Sequence, residues 1–147
     1  MTDILCAGYH AARDAGLLVS AADIRVAIAL PGIAVDPDDV FVADTNLATY
    51  EYDGSGYSRH TLANVVVAYS DADDEWQVDA DDDAEASGDT VVAATATPEA
   101  VVFILHVTDD SDSYVLGKVD SGAIANGNGG SLALVLPAGG FLFSAQA

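Results

Sequence analysis

Apolar residues fall along this chain in short bursts separated by polar turns, and the longest burst is Ala100 to Val107, AVVFILHV. A brief run rich in β-branched and aromatic side chains predicts a strand buried on both faces, and it is far below the roughly 20 residues a helix needs to cross a bilayer. This run is expected to be the central strand of the protein. Asp23 to Leu30 (DIRVAIAL) alternates, with Ile24, Val26, Ile28 and Leu30 on one side, Arg25, Ala27 and Ala29 on the other, and Pro31-Gly32 as its stop. That pattern predicts a half-buried strand. Before it, Ile4, Leu5, Tyr9 and Ala12 recur at helical spacing, with Asp3 placed to cap the start and Gly16 to end the run, so a short amphipathic helix is expected within Thr2 to Gly16.

Further strands are expected at Val65 to Tyr69, which reads as buried, and at Glu75 to Ala80, where Trp76, Val78 and Ala80 share one face with Trp76 as a core anchor. Asp81 to Gly88 is a charged loop and Thr90 to Ala96 the next strand. Thr108 to Ser113 (TDDSDS) is a polar turn joining the central strand to Tyr114 to Val119 as a hairpin. Asn126 to Gly130 (NGNGG) is a turn rich in residues that tolerate positive φ, followed by a strand at Ser131 to Leu136, a turn at Pro137 to Gly140, and a last strand carrying Phe141 and Phe143. The sum is a mainly β fold: a single β-sandwich or jelly-roll-like domain over residues 1–147, with a short N-terminal helix in an arm at 1–20.

Between Ile33 and Asn64 the periodicity dissolves, and the segment carries Tyr50, Tyr52 and Tyr57 beside Gly54 and Gly56 and just before Arg59. Tyrosines on a glycine-rich backbone offer rigid amphipathic contact area suited to a protein or a glycan; they equally suit covering the edge of a core.

Charge changes the picture most. The chain of 147 residues has 24 acidic and four basic residues (Arg13, Arg25, Arg59, Lys118), a formal net charge of -20, yet 51% of it is hydrophobic, so it is a folding composition and not a disordered acidic tail. Such a field repels nucleic acids and anionic membranes, and neither is an expected partner. Abundant Asp, scarce Lys and an Ala/Val-rich apolar set match the surfaces of proteins that work in molar salt, where the screening length falls to about 3 Å. Cys6 is the single cysteine, which excludes an intrachain disulfide and suggests a buried thiol. The N-terminus lacks the basic start and apolar core of a signal peptide, so folding in the cytoplasm is expected.

An ordered set of fragments resembles a family of small virion structural proteins of tailed viruses. It comprises a strand like DIRVAIAL, the loop from Glu51 through Tyr52, Gly54, Gly56, Tyr57 and Arg59 to Leu62, the segment Glu75 to Asp82, an apolar strand ending in a T/D/S turn, and the late Asn126 to Gly130. The resemblance spans Asp23 to Phe143 and departs from the family where His106 replaces a usual basic residue and in its surplus of Asp. It implies a non-enzymatic head decoration or turret subunit of a halophilic archaeal virus, located in the virion after assembly in the host cytoplasm. Its partners would be copies of itself and the major capsid or other virion proteins; apart from the resemblance, apolar strands such as Ala100 to Val107 and Phe141 to Phe143 offer more hydrophobic edge than one small sandwich needs, which suggests a trimer or pentamer. A tail or baseplate protein with a receptor-facing loop is the alternative placement. The interaction residues singled out are Tyr50, Tyr52, Tyr57, Arg59, Phe141 and Phe143.

Other chemistry is thinner. Asp79, Asp81, Asp83 and Glu85 repeat at every second position and are the candidate cation ligands of a calcium- or carbohydrate-binding β-sandwich; apart from such a divalent or monovalent ion, no cofactor is expected. An EF-hand beginning at Asp79 would need Gly and Glu where Ala84 and Thr90 stand, so solvated carboxylates fit better. Asp109, Asp110 and Asp112 with Asp120 have the same standing. Cys6 and His10 lie one helical turn apart but lack an orienting third group, and no phosphate loop or nucleophile elbow occurs.

Overall fold

In the computed structural model the described residues are 4–54, 57–72, 74–80, 99–120, 124–125, 133–134 and 142–145. In chain order they form β1 (Ile4–Leu5), α1 (Ala7–Asp14), β2 (Ile24–Ala29), a 3-10 turn (Val42–Asp44), α2 (Leu47–Tyr50), β3 (His60–Thr61), β4 (Val66–Ser70), β5 (Glu75–Asp79), β6 (Ala100–Leu105), β7 (Tyr114–Asp120), β8 (Ile124–Ala125), β9 (Ala133–Leu134) and β10 (Leu142–Ala145). Every strand pairing among them is antiparallel. A five-stranded sheet runs β1-β7-β6-β2-β3, a three-stranded sheet runs β10-β5-β4, and β8 and β9 form a ribbon. The fold is therefore mainly β, with two antiparallel sheets and few helices.

The apolar run starting at Ala100 takes the centre of the larger sheet, and all six residues of β6 are buried. Its odd and even positions feed two separate clusters, as the period of two along a strand requires. Val101, Phe103 and Leu105 join Val26 and Ile28 of β2, Tyr9 and Ala12 of α1, and Val65 and Val78 from the smaller sheet and its approach. Ala100, Val102 and Ile104 face the other way, onto Ala27, Ala29, Ile33, Val35, Val42 and Leu47. β2 is thus buried on both sides, not half-buried: the small Ala27 and Ala29 read as an outer face in the sequence but receive the segment 33–47 on top of them.

That segment, irregular in the sequence, is a covering layer with four buried aliphatic anchors, each burial being favourable by about 1.5–3 kcal/mol. Side chains fasten it. Asn46 accepts from the Ala34 N–H at 2.6 Å and donates to the Gly32 carbonyl at 3.0 Å, and Asp44 accepts from the Phe41 N–H at 2.9 Å. Its backbone also closes the outer side of β7: the Val115 N–H reaches the Val40 carbonyl at 3.0 Å and the Val42 N–H the Ser113 carbonyl at 2.9 Å.

The N-terminus differs from expectation. Ile4 and Leu5 do not enter the helix; they pair with Lys118 and Gly117 as an edge strand, and the helix starts only at Ala7. The orphan N–H groups of its first turn are taken by main-chain carbonyls of the covering segment, Ala7 to Pro37 at 2.7 Å and Gly8 to Asp39 at 2.9 Å. Asp3 lies outside the described residues. Tyr9 and Ala12 are buried as the spacing predicts, so α1 is packed into the core, and Gly16 at φ +74° ends the turn.

The hairpin of β6 and β7 forms as expected, with a bulge. Val115 pairs with Ile104 and Gly117 with Phe103, so Leu116 is the extra residue. Without it Tyr114 and Val119, five apart, would fall on opposite faces; with it both pack against the same cluster. β4 is less buried than its VVVAY sequence suggests, because it is an edge strand whose outer positions, Val66 at 50% exposure and Ala68, face solvent. In β5, Val78 is fully buried and Trp76 is half-buried, its ring 5.7 Å from Tyr69. The expected strand at Thr90 to Ala96 and the turns at Asp81 to Gly88, Asn126 to Gly130 and Pro137 to Gly140 lie outside the described residues.

Candidate functional site

The tyrosine segment leaves α2 and runs along the outer edge of β2. The Leu30 N–H donates to the Tyr50 carbonyl at 2.8 Å and the Tyr52 N–H to the Ile28 carbonyl at 2.9 Å, and Glu51 bridges Ala29. The chain then swings away and returns as β3, pairing His60 with Val26. In the gap, the Ile28 N–H would lack a strand partner, and the Tyr57 hydroxyl accepts it at 3.0 Å. That same hydroxyl donates to Glu51 Oε1 at 2.7 Å.

Glu51 and Tyr57 belong to a larger tie. Arg59 sets Nε and one terminal nitrogen on the two oxygens of Glu51, both at 2.9 Å, and its terminal nitrogens on the two oxygens of Asp110 at 2.6 and 2.9 Å. The planar guanidinium is used as a double fork, a geometry lysine lacks. The Glu51 and Arg59 side chains are about one-fifth exposed and Asp110 about two-fifths, so the tie is half-buried at one end and wetter at the other. Hydrogen bonding to Asp110 outweighs desolvation and holds Arg59 above its ordinary pKa, while Arg59 holds Asp110 below the usual carboxylate range. Burial, then the Glu51 charge, pushes the Tyr57 phenol up, so it stays protonated and able to donate.

Beside the tie lies an open hollow of about 430 Å³ whose lining includes Glu51, Tyr52, Asp53, Tyr57 and Arg59. Tyr52 is only 8% exposed; its ring meets that of Tyr57 edge-on at 5.4 Å and crosses so close to Gly54 that a Cβ there would sit 1.8 Å from the phenol oxygen. With Arg59 already holding two carboxylates, and Tyr57 bonded on both sides of its oxygen, the arrangement works as a structural joint. An incoming anion would have to displace Asp110 or Glu51.

Of the residues singled out in the sequence, Tyr52, Tyr57 and Arg59 meet here. Tyr50 does not join them: its ring packs over Gly32, at φ +106°, so closely that a Cβ there would lie 2.4 Å from the ring. Phe143 stands in β10 opposite Gln77 in register, and Phe141 lies outside the described residues. Of the candidate cation ligands, Asp79 sits in β5 with its carboxylate accepting from the Ala80 N–H at 2.9 Å; Asp81, Asp83 and Glu85 lie outside the described residues. Among the described residues no group of three or more His, Cys, Asp or Glu is placed to hold a metal ion, and no helix is long and apolar enough to cross a membrane.

In the TDDSDS turn the carboxylates are bonded to the turn itself: Asp112 Oδ1 accepts from Thr108 and Asp109 N–H groups at 3.0 and 2.9 Å, and Asp109 Oδ1 from Ser111 at 2.8 Å. Cys6 is buried beneath the covering layer, as expected of a lone thiol, with its pKa pushed up to about 12 by burial and then by Asp39 and Asp36. Asp110 as the partner of Arg59 was not legible in the sequence, since 51 positions separate them; the available signal was an arginine alone in an acidic segment, which needs counter-charges from somewhere. No family model, curated protein or solved structure matches this chain.

Proposed function

We propose that this chain is a structural subunit of a tailed-virus particle, a decoration- or turret-type accessory of the head that acts by adhesion to copies of itself and to the shell in high salt. The observation that carries the reading is the Arg59 to Asp110 fork. Two fragments on which the family resemblance rests, the EYDGSGYSR loop and the T/D/S turn, are far apart in the sequence and become one joint through it. The joint gives a physical reason for both fragments to occur together in a protein whose work is to hold its shape.

Surface character supports the same reading. On a chain of charge -20, Leu17 at 41%, Val19 at 51% and Val66 at 50% exposure lie in stretches without a charged residue, AGLLVSAA and LANVVVAY, and the Ala21 N–H to Val65 carbonyl bond of 2.8 Å brings those stretches together. Uncharged apolar surface is where strongly acidic copies meet with least repulsion. Within this proposal the two sheets are the layers of a jelly-roll-like sandwich.

The test is assembly. Size-exclusion chromatography with light scattering in molar salt is expected to give a trimer or pentamer, and immunogold labelling of purified particles is expected to mark the head. A monomer at every concentration, together with unlabelled particles, refutes the proposal.

A further inference from the structure

The tie is more than a brace, because acid acts on it and on the rest of the molecule in opposite directions. Over most of the surface, protonating carboxylates removes like-charge repulsion and favours the compact state. At the tie, protonation removes the acceptors of Arg59. We propose that Glu51, Arg59 and Asp110 form an acid-released latch, which holds residues 51–54 and 57–62 against the outer edge of β2 and lets that edge open at low pH while the sheet beneath stays folded.

Geometry argues for a local opening. Along the edge, β2 is covered by main-chain bonds at Tyr50 and Tyr52, the Tyr57 hydroxyl, the two-residue strand β3, and the Leu62 N–H to Ile24 carbonyl bond of 2.9 Å. By contrast β2, β6 and β7 share long ladders backed by aliphatic clusters. The charged and titratable groups at the latch and the edge it holds are Glu51, Tyr52 and Asp53 after α2, Tyr57 in the loop, the buried His60 next to Arg59 in β3, Asp110 in the β6–β7 turn, and His106 just after β6, which acts electrostatically on Asp110. Asp112 in the same turn is likewise held below its ordinary pKa, by main-chain donors, so acid loosens the turn as well.

The sign follows from those directions. A carboxyl whose folded pKa is depressed contributes in full above its unfolded value, about 3.9 for Asp, and loses that contribution as pH falls through the lower folded value. Asp110 therefore releases Arg59 only below the ordinary carboxylate range, which frees the latch at its β6–β7 end.

Hydrogen exchange read by mass spectrometry in molar salt, between pH 7 and 2.5 and corrected for intrinsic rates, tests the latch. Expected is an acceleration of about tenfold or more in peptides covering 51–62 and 108–113, with β2 and β6 unchanged, and an onset at higher pH in Asp110→Asn. Asp23→Asn, which breaks the exposed Arg25 pair, leaves the profile unmoved. If the wild-type peptides from 51–62 accelerate only together with β6, or never, the latch is refuted, whether or not the Asp110 variant folds; an unshifted onset in a folded Asp110→Asn refutes it equally.

Discussion

Arg59 is the residue whose surroundings decide the most. Its carboxylate partners, Glu51 and Asp110, come from segments far apart in the sequence, and removing the guanidinium leaves them facing one another. Discounted for the exposure of Asp110, Arg59→Ala is expected to cost about 2 kcal/mol, and Arg59→Lys about half of that because one point charge replaces a double fork. Denaturant melts in molar potassium chloride measure both, and equal losses in the two variants would contradict the fork. Cys6 gives a second residue-level expectation. With its pKa raised from 9.0 to about 12, the thiol adds stability that is complete below 9 and is lost as pH rises toward 12. Iodoacetamide at pH 8 is expected to leave the folded protein unlabelled and to alkylate it in denaturant. A buried thiol was legible in the sequence from its being single; the roles of Tyr52 and Tyr57 were not, because their composition suits an outward-facing patch and an edge cover alike.

At the level of elements, hydrophobic alternation identified β2 and β5, a continuous apolar run identified β6, and the polar turn after it identified β7 as its hairpin partner, each within a residue or two. It failed where burial is supplied by something other than a regular element. Segment 33–47 has no period, yet Ile33, Val35, Val42 and Leu47 are buried anchors spaced by the turns between them. Helix α1 shows the same limit from another side. Its docking depends on Gly8, where a Cβ would lie 2.1 Å from the Val115 carbonyl oxygen and 2.4 Å from that of Val40. Gly8→Ala should therefore destabilise by at least about 2 kcal/mol, although alanine is the better helix former by about 1 kcal/mol. Gly16→Ala meets nothing within 4 Å and carries only the strain of φ +74°, about 1 kcal/mol. Thermal melts of the two variants rank these effects, and a larger loss at Gly16 would be inconsistent with close helix packing.

For the whole molecule, electrostatics set the conditions of folding. Two of the four basic residues, Arg25 and Arg59, are held by acidic neighbours, and with 24 acidic residues against four basic ones the carboxylates far outnumber their counter-charges. Lowering salt from molar to about 0.1 M lengthens the screening distance from about 3 to about 10 Å, and repulsion then reaches across neighbouring side chains. Circular dichroism is expected to show a falling melting temperature or outright loss of β signal over that range; an unchanged spectrum and melting curve would give the acidic surface another cause. The edges of the larger sheet are short and covered, one by β1 with Val40 and the other by residues 50–54 and 57–62, which protects them from pairing with other chains.

The sequence by itself determined that this is a mainly β protein centred on AVVFILHV, strongly acidic, with a buried lone thiol, because periodicity, charge and cysteine count are local or summed properties of the chain. Only the tertiary structure decided that Ala27 and Ala29 are core, that an aperiodic segment roofs the sheet, and that Arg59 meets Asp110. Each of those depends on which distant segment comes to rest against a residue, and that partner leaves no mark at the residue's own position.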